Sequence, residues 1–292
     1  MNIYMEETSE ICQRIRESLL AFEREFSANV LFAGLTGSTA MGLSNQTSDS
    51  DIFVITEEPI LDFSHKLVDK RFKYHSFNDY KLALKFGNFE QRQDSILLRE
   101  DSLHLIVFAL PAIESSKTIP VSYPSSHTYQ DDKDRLPKSV TRLFYRQHIY
   151  DWRGYVQSHW EHLIEQHCKA IDVLDYLYPL CRTRTDTVLK KSQVVTREYL
   201  YAAHNILSMQ WIIKNMSLSP NMFVDLLKTC NDKDVFNELM PLYEENKSSN
   251  IPRKEILIER NHIIENFVEK GLNEAKIAIE KFAFTDFQKK LL

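Results

Sequence analysis

Four cysteines in 292 residues leave little material for a disulfide framework or a zinc site. Cys12, Cys168, Cys181 and Cys230 lie far apart, and no two form the C-x-x-C pair that structural zinc sites and redox motifs use. A reducing, cytoplasmic setting is therefore expected. Long apolar runs are missing as well: none approaches the ~18 residues of a membrane span, so no membrane partner is expected. The first fifteen residues are polar and acidic, so no secretory signal is expected either. Positive charge is not in surplus. Lys and Arg number 36 against 41 Asp and Glu, a net charge of −5, and any nucleic acid would have to be met by a local basic patch. No repeat of fixed length recurs, which favours a bundle over a solenoid. What is present is the composition of a soluble globular protein, 43% hydrophobic and 26% charged. The length suits one large domain or two ordinary ones.

The stretch that carries chemistry is residues 31–55, LFAGLTGSTAMGLSNQTSDSDIFVI. An apolar run from Val30 to Leu35 ends at Gly37-Ser38. A polar segment containing Gly42 follows, and Asp49-Ser50-Asp51 then leads into Ile52-Phe53-Val54-Ile55. Apolar runs of this length, bounded by glycine and small polar residues, read as buried strands. The pattern predicts a strand, a tight Gly-Ser turn, a short connector and a second strand. Alternation along a strand sends residues i and i+2 to one face, so Asp49 and Asp51 are expected side by side. Paired carboxylates repel, and a solvent-facing strand start has no use for them. A divalent cation between them removes the repulsion, and hard oxygen donors suit Mg²⁺. Gly37 and Ser38 offer close backbone approach and a hydroxyl, which suits a phosphate.

Gly37-Ser38-x-Ala40-x-Gly42, then five intervening residues and Ser48-Asp49-x-Asp51-Ile52-x-Val54, resembles the signature of minimal nucleotidyltransferases of the DNA polymerase beta superfamily. In the second half, Lys191, Arg197-Glu198-Tyr199, Tyr201-Ala202-Ala203, Gln210-Trp211-Ile212 and Ser219-Pro220-x-x-Phe223-x-x-Leu226-Leu227 are similar to the helical module of the YcgL-like, RNA-repair-associated predicted nucleotidyltransferases. Asn250-Ile251-Pro252-Arg253 is similar too. The resemblance spans most of residues 30–270, although only the N-terminal motif is sharply specific. It implies an α+β fold: an N-terminal mixed nucleotidyltransferase sheet with flanking helices, then an all-helical bundle that closes over the nucleotide.

Ile11, Ile15, Leu19, Leu20 and Phe22 recur at helical spacing within residues 6–26, predicting an amphipathic helix that packs on the sheet. A third strand is expected within 72–77 and a helix over 79–86. Leu103 to Leu110, LHLIVFAL, reads as a strand or a buried helix start. Residues 114–138 are rich in Ser, Pro and Asp, the composition of a linker or of a flap over the site. Domains are accordingly expected at 1–125 and 126–292. From Lys138 onward the apolar recurrence predicts helices throughout, over residues 140–150, 159–177, 188–216, 222–229, 235–245 and 255–284. Trp152, Trp160 and Trp211 fall on helical stripes and read as core anchors.

The chain also departs from the resembled pattern. A third carboxylate on a later strand usually completes the metal site. Here Tyr74 falls at that place, with His75, Asp69 and His104 as alternatives. Where the family tends to carry arginines on the long helix, this chain has His204 and Gln210, neither of which offers a permanently charged fork to phosphate.

The expected function is Mg²⁺- or Mn²⁺-dependent transfer of an NMP from an NTP to a hydroxyl or phosphate acceptor, with release of pyrophosphate. The acceptor would be a small molecule, a protein or an RNA end. Asp49 and Asp51 are expected to hold the metal and, with Ser38, to carry the chemistry. Gly37, Ser38, Thr39, Ser48, Lys190, Lys191 and Arg197 are expected to hold the nucleotide. Two other readings compete: a degenerate member that binds nucleotide or RNA without turnover, and an antitoxin-like protein-interaction partner.

Overall fold

The computed structural model describes residues 10–57, 73–74, 95–100, 103–109, 148–150, 170–188, 192–251 and 256–291. Their contacts divide the chain into two units. One comprises Met1–Gly37 and Asp49–Ile164, the other Ser38–Ser48 and Glu165–Leu292. The chain thus crosses from the first unit to the second and back within the motif itself. The boundary expected at 125/126, the helix over 79–86, Trp152 and Trp160 fall outside the described residues.

The first unit is built on α1 (Glu10–Phe26), β1 (Val30–Thr36), β2 (Ser50–Thr56), β3 (Lys73–Tyr74), β4 (Ser95–Glu100), β5 (Leu103–Ala109) and β6 (His148–Tyr150). Its six strands form one mixed sheet in the order β3-β4-β5-β2-β1-β6. β2 runs parallel to β5 and antiparallel to β1. The amphipathic spacing of α1 explains its place: Ile15, Leu19, Phe22 and Phe26 bury against Val30, Ala33 and Leu35 of β1, Ile52 and Val54 of β2, and Leu105 of β5. Burial of each such side chain contributes about 1.5–3 kcal/mol. The ambiguous run at 103–110 is a strand. Its neighbour β4, SILLRE, was not anticipated, and residues 148–150, expected within a helix, pair instead with β1. Residues 148–150 are too few to show a period of their own, and pairing there supplies partners to the backbone groups along the edge of β1.

Between the motif halves, Gly37–Ala40 forms a single helical turn, α2, where a tight turn was expected. The second unit then contains α3 (Ala170–Val188), β7 (Gln193–Val195), α4 (Thr196–Asn215), α5 (Phe223–Leu227), α6 (Lys233–Ser248), β8 (Leu257–Glu259) and α7 (His262–Leu291). The mostly helical half agrees with the sequence pattern, with one correction. Residues 193–195 and 257–259, expected at helix starts, form an antiparallel ribbon, β7–β8. Gln-Val-Val and Leu-Ile-Glu carry the β-branched residues that favour pleated pairing.

Helix ends in this unit are set by side chains. Asp232 accepts from the amides of Asp234 and Val235 to start α6, and Asn261 Oδ1 accepts from Ile263 and Ile264 to start α7. A buried carboxylate ties α4 to α7. Glu265 receives Arg260 Nε at 2.9 Å and Nη2 at 2.7 Å, and the Tyr199 hydroxyl donates to it at 2.6 Å. Arg260 holds the Glu265 carboxyl below its ordinary value, against the opposing push of burial. Burial, then the bond to Glu265, pushes Tyr199 up to about 12. No helix among the described residues is long and apolar enough to cross a membrane.

Candidate active site

Antiparallel register places Thr36, the last residue of β1, opposite Asp51, the second residue of β2. The backbone that follows Thr36 is therefore carried past the Asp51 carboxylate. Gly37 adopts φ +67° there, in the left-handed region. A Cβ at this position would collide with Asp51 Oδ2 and lie 3.1 Å from Asp51 Cγ. Glycine is required twice over, for its φ and for the space the carboxylate occupies. Asp49 stands one residue ahead of β2 and is exposed, whereas Asp51 is half-buried.

The same register extends across the sheet. Asp51 is the parallel partner of His104 on β5, and His104 is the antiparallel partner of Arg99 on β4. Of the positions considered for a third metal-binding group, residue 104 is thus on the strand next to Asp51. Tyr74 lies on edge strand β3, with β4 and β5 between it and β2. Asp69 and His75 fall outside the described residues.

Among the described residues, no three His, Cys, Asp or Glu side chains are grouped to hold a metal ion. The two aspartates nevertheless supply hard oxygen donors. Mg²⁺ commonly takes only one or two protein carboxylates and completes its octahedron with water and phosphate oxygens. The donor set at 49 and 51 fits a Mg²⁺ that arrives on a triphosphate.

Ser38 and Thr39 lie in α2. Ser38 is buried, and its carbonyl accepts from Leu43 N at 2.8 Å. Thr39 is half-buried and its carbonyl accepts from Gly42 N at 3.0 Å. The Ser48 hydroxyl is engaged in the loop: it donates to Asn45 Oδ1 at 2.9 Å and accepts from Asn45 N at 2.7 Å. Asn45 Oδ1 also accepts from Thr47 N and Oγ1, so this asparagine shapes the turn before Asp49.

On the helical side, Lys190 and Lys191 fall outside the described residues. Arg197 is in the first turn of α4, with its Nε buried and 3.4 Å from Glu198 Oε1, without the alignment of a hydrogen bond. Glu198 also faces Arg184 Nη1 at 3.6 Å. His204 and Gln210, at the places of the family's arginines, are engaged within the helical unit. His204 is fully buried with Nε2 2.7 Å from the Asn221 carbonyl, and Gln210 donates to Glu274 at 3.1 Å.

Sequence reading missed Asn221 and Asn246. Both are buried, and each donates its side-chain amide to a backbone carbonyl of the 38–48 segment, Ala40 at 3.0 Å and Leu43 at 3.1 Å. Nothing local marks them, because an asparagine in a loop or a helix has the same appearance whether it points to water or into a fold.

A family model described as a nucleotidyltransferase domain matches residues 15–115. No curated protein matches. Among solved structures, the spectinomycin adenyltransferase AAD(9) from Enterococcus faecialis, crystallised with ATP and spectinomycin, is similar over 90% of this chain and 98% of its own at 14% identity and a TM-score of 0.45. A likeness at that level carries no argument about substrate. The matched residues hold most of α1, then β1, the glycine–serine motif, both aspartates, β2 and β5. With that constellation inside the matched stretch, residues 15–115 are identified as a nucleotidyltransferase domain.

Proposed function

We propose that the protein transfers a nucleoside monophosphate from a Mg²⁺–NTP to an acceptor hydroxyl or phosphate. The observation that carries this reading is the carboxylate of Asp51 lying over the Gly37 backbone, in a domain of nucleotidyltransferase type. Asp49 and Asp51 would hold Mg²⁺ (or Mn²⁺), which neutralises charge on the triphosphate and orients it. Gly37 lets the backbone come close to phosphate, and Ser38 and Thr39 offer hydroxyls to it. The acceptor oxygen attacks the α-phosphorus in line; the bond from that phosphorus to the bridging β-oxygen breaks, and pyrophosphate leaves with the electron pair. The acceptor proton passes to a base or to solvent. Residue 104, register partner of Asp51, is proposed as the site of that base or of a third metal ligand.

The acceptor's class is left as a small molecule, a protein or an RNA end. A cytoplasmic setting is part of the reading. It rests on the cysteine spacing, which offers no C-x-x-C pair; the buried Cys181 thiol is pushed up to about 12, chiefly by desolvation, and is unreactive.

The test is pyrophosphate release from each of the four common NTPs with Mg²⁺, over a panel of small-molecule, protein and RNA acceptors. Asp49→Asn and Asp51→Asn are each expected to lower the rate by at least about 100-fold, since positioning and charge neutralisation supply most of the catalysis. Turnover that persists undiminished in the double variant refutes the assignment.

A further inference from the structure

The 38–48 segment, which bears Ser38, Thr39 and Ser48, belongs by its contacts to the helical unit. It is held there at one backbone atom after another. Asn221 Nδ2 donates to the Ala40 carbonyl, Phe223 N donates to the Met41 carbonyl at 2.8 Å, and Asn246 Nδ2 donates to the Leu43 carbonyl. In the other direction Asn45 Nδ2 donates to the Ile251 carbonyl at 3.1 Å. Gly42, at φ +69°, closes against the Met222 side chain: a Cβ there would lie 2.8 Å from Met222 Cε. Behind Asn221 stands the fully buried His204 of α4, bonded to the Asn221 carbonyl.

A buried carbonyl needs a donor, and an asparagine amide supplies one in the geometry of a backbone N–H. The arrangement is not the least costly for the helices themselves. Asn221 and Asn246 are 4% and 1% exposed, and the Oδ1 atom of each has no hydrogen-bond partner among the described residues. A buried acceptor left unpaired opposes folding. Asn221 and Asn246 each carry one, and both amides are spent on the same segment.

We infer that Asn221 and Asn246 are positioning residues: through the Ala40 and Leu43 carbonyls, the helical unit fixes the backbone of the nucleotide-binding segment. The inference rests on the nucleotidyltransferase reading for the role of that segment. Neither asparagine is assigned a contact with substrate. Their effect is on how much of the time the segment holds the conformation that binds, so it reads out in nucleotide affinity. A ligand's apparent affinity falls in proportion to the population of the competent state.

Calorimetry with Mg²⁺ and each of the four NTPs, on the full chain, tests this. Asn221→Ala and Asn246→Ala are each expected to weaken the tightest NTP's Kd about tenfold, and the double variant about 100-fold, the effect of losing one and two ordering hydrogen bonds. Tyr199→Phe serves as the comparison. It removes a buried bond elsewhere in the same unit, so it lowers the melting point and leaves Kd at the wild-type value. Asparagine variants that melt earlier yet bind with wild-type Kd overturn the inference and leave the function standing. A wild type that binds none of the four overturns both. Should the variants not fold, hydrogen exchange of the wild type decides: Gly42 and Leu43 amides exchanging as slowly as those of α4 support the clasp, and exchange at loop rates overturns it.

Discussion

Replacing Gly37 by alanine separates stability from chemistry at this site. The new methyl group meets two obstacles. At φ +67° an L-residue pays about 1–2 kcal/mol. The methyl also collides with Asp51 Oδ2, with Asp51 Cγ and Cβ at 3.1 and 3.3 Å behind it. The carboxylate oxygen is the far end of a rotatable side chain, whereas the backbone of Asp51 is fixed by pairing with Thr36 and His104. The carboxylate therefore gives way by torsion, at small further cost to stability. Its displacement is of order 1 Å, and a misplacement of that size costs about 100-fold in rate, equivalent to roughly 2.7 kcal/mol of barrier. The melting point should fall by only about 2–8 °C, the shift expected for 1–2 kcal/mol in a chain of this size. Pyrophosphate release read as kcat/KM against Mg²⁺ concentration is the assay. Gly271→Ala is the matched control: its methyl would collide with Ile206 Cγ2 in the helical unit, an overpacking that costs about 1–3 kcal/mol at a position not assigned to the site. If Gly37→Ala keeps kcat/KM within a factor of about two of Gly271→Ala, a ratio worth only some 0.4 kcal/mol, Asp51 is not held where catalysis needs it.

The buried carboxylate of the helical unit makes a pH prediction. Arg260 holds the Glu265 carboxyl below the ordinary glutamate value, so its contribution is fully present above that ordinary value and is lost as pH falls through the lowered one. Urea melts at pH 7 and at successively lower pH should show wild type losing stability on this limb and Glu265→Gln, already weaker at neutrality, losing less; equal acid slopes refute the assignment. At residue 104, alanine is expected to lower kcat by 10²–10⁴-fold, the range for a lost general base, with NTP Kd held near wild type. An unchanged kcat rejects His104 in that role.

The nucleotidyltransferase motif was legible because its information is local. Two apolar runs, a glycine at a fixed place and two aspartates two residues apart define a strand, a bend and a second strand, and each feature depends on neighbours within a few residues. Helix α1 was legible for the same reason, as were most of the helices in the second half. The strands at 148–150, 193–195 and 257–259 were not. Three residues are too few to display a period, and they become strands only because a partner strand offers its backbone groups.

Candidate site residues divide along the same line. Asp49, Asp51, Gly37 and Ser38 could be named from spacing alone. The neighbour of Asp51 on the next strand could not: Asp69, Tyr74, His75 and His104 were all open from the sequence, and only sheet order sets residue 104 beside Asp51. The donors that hold the segment between the aspartates and the glycine were still further from view. Asn221 reaches Ala40 across 181 residues, Asn246 reaches Leu43 across 203, and Asn45 reaches Ile251 across 206. The sequence by itself determined the strand, the bend and the second strand that carry the candidate residues, because alternation and turn preferences are short-range properties of the backbone. Only the tertiary structure decided which buried polar groups answer one another, because a hydrogen bond's partner is set by where the packed elements bring it.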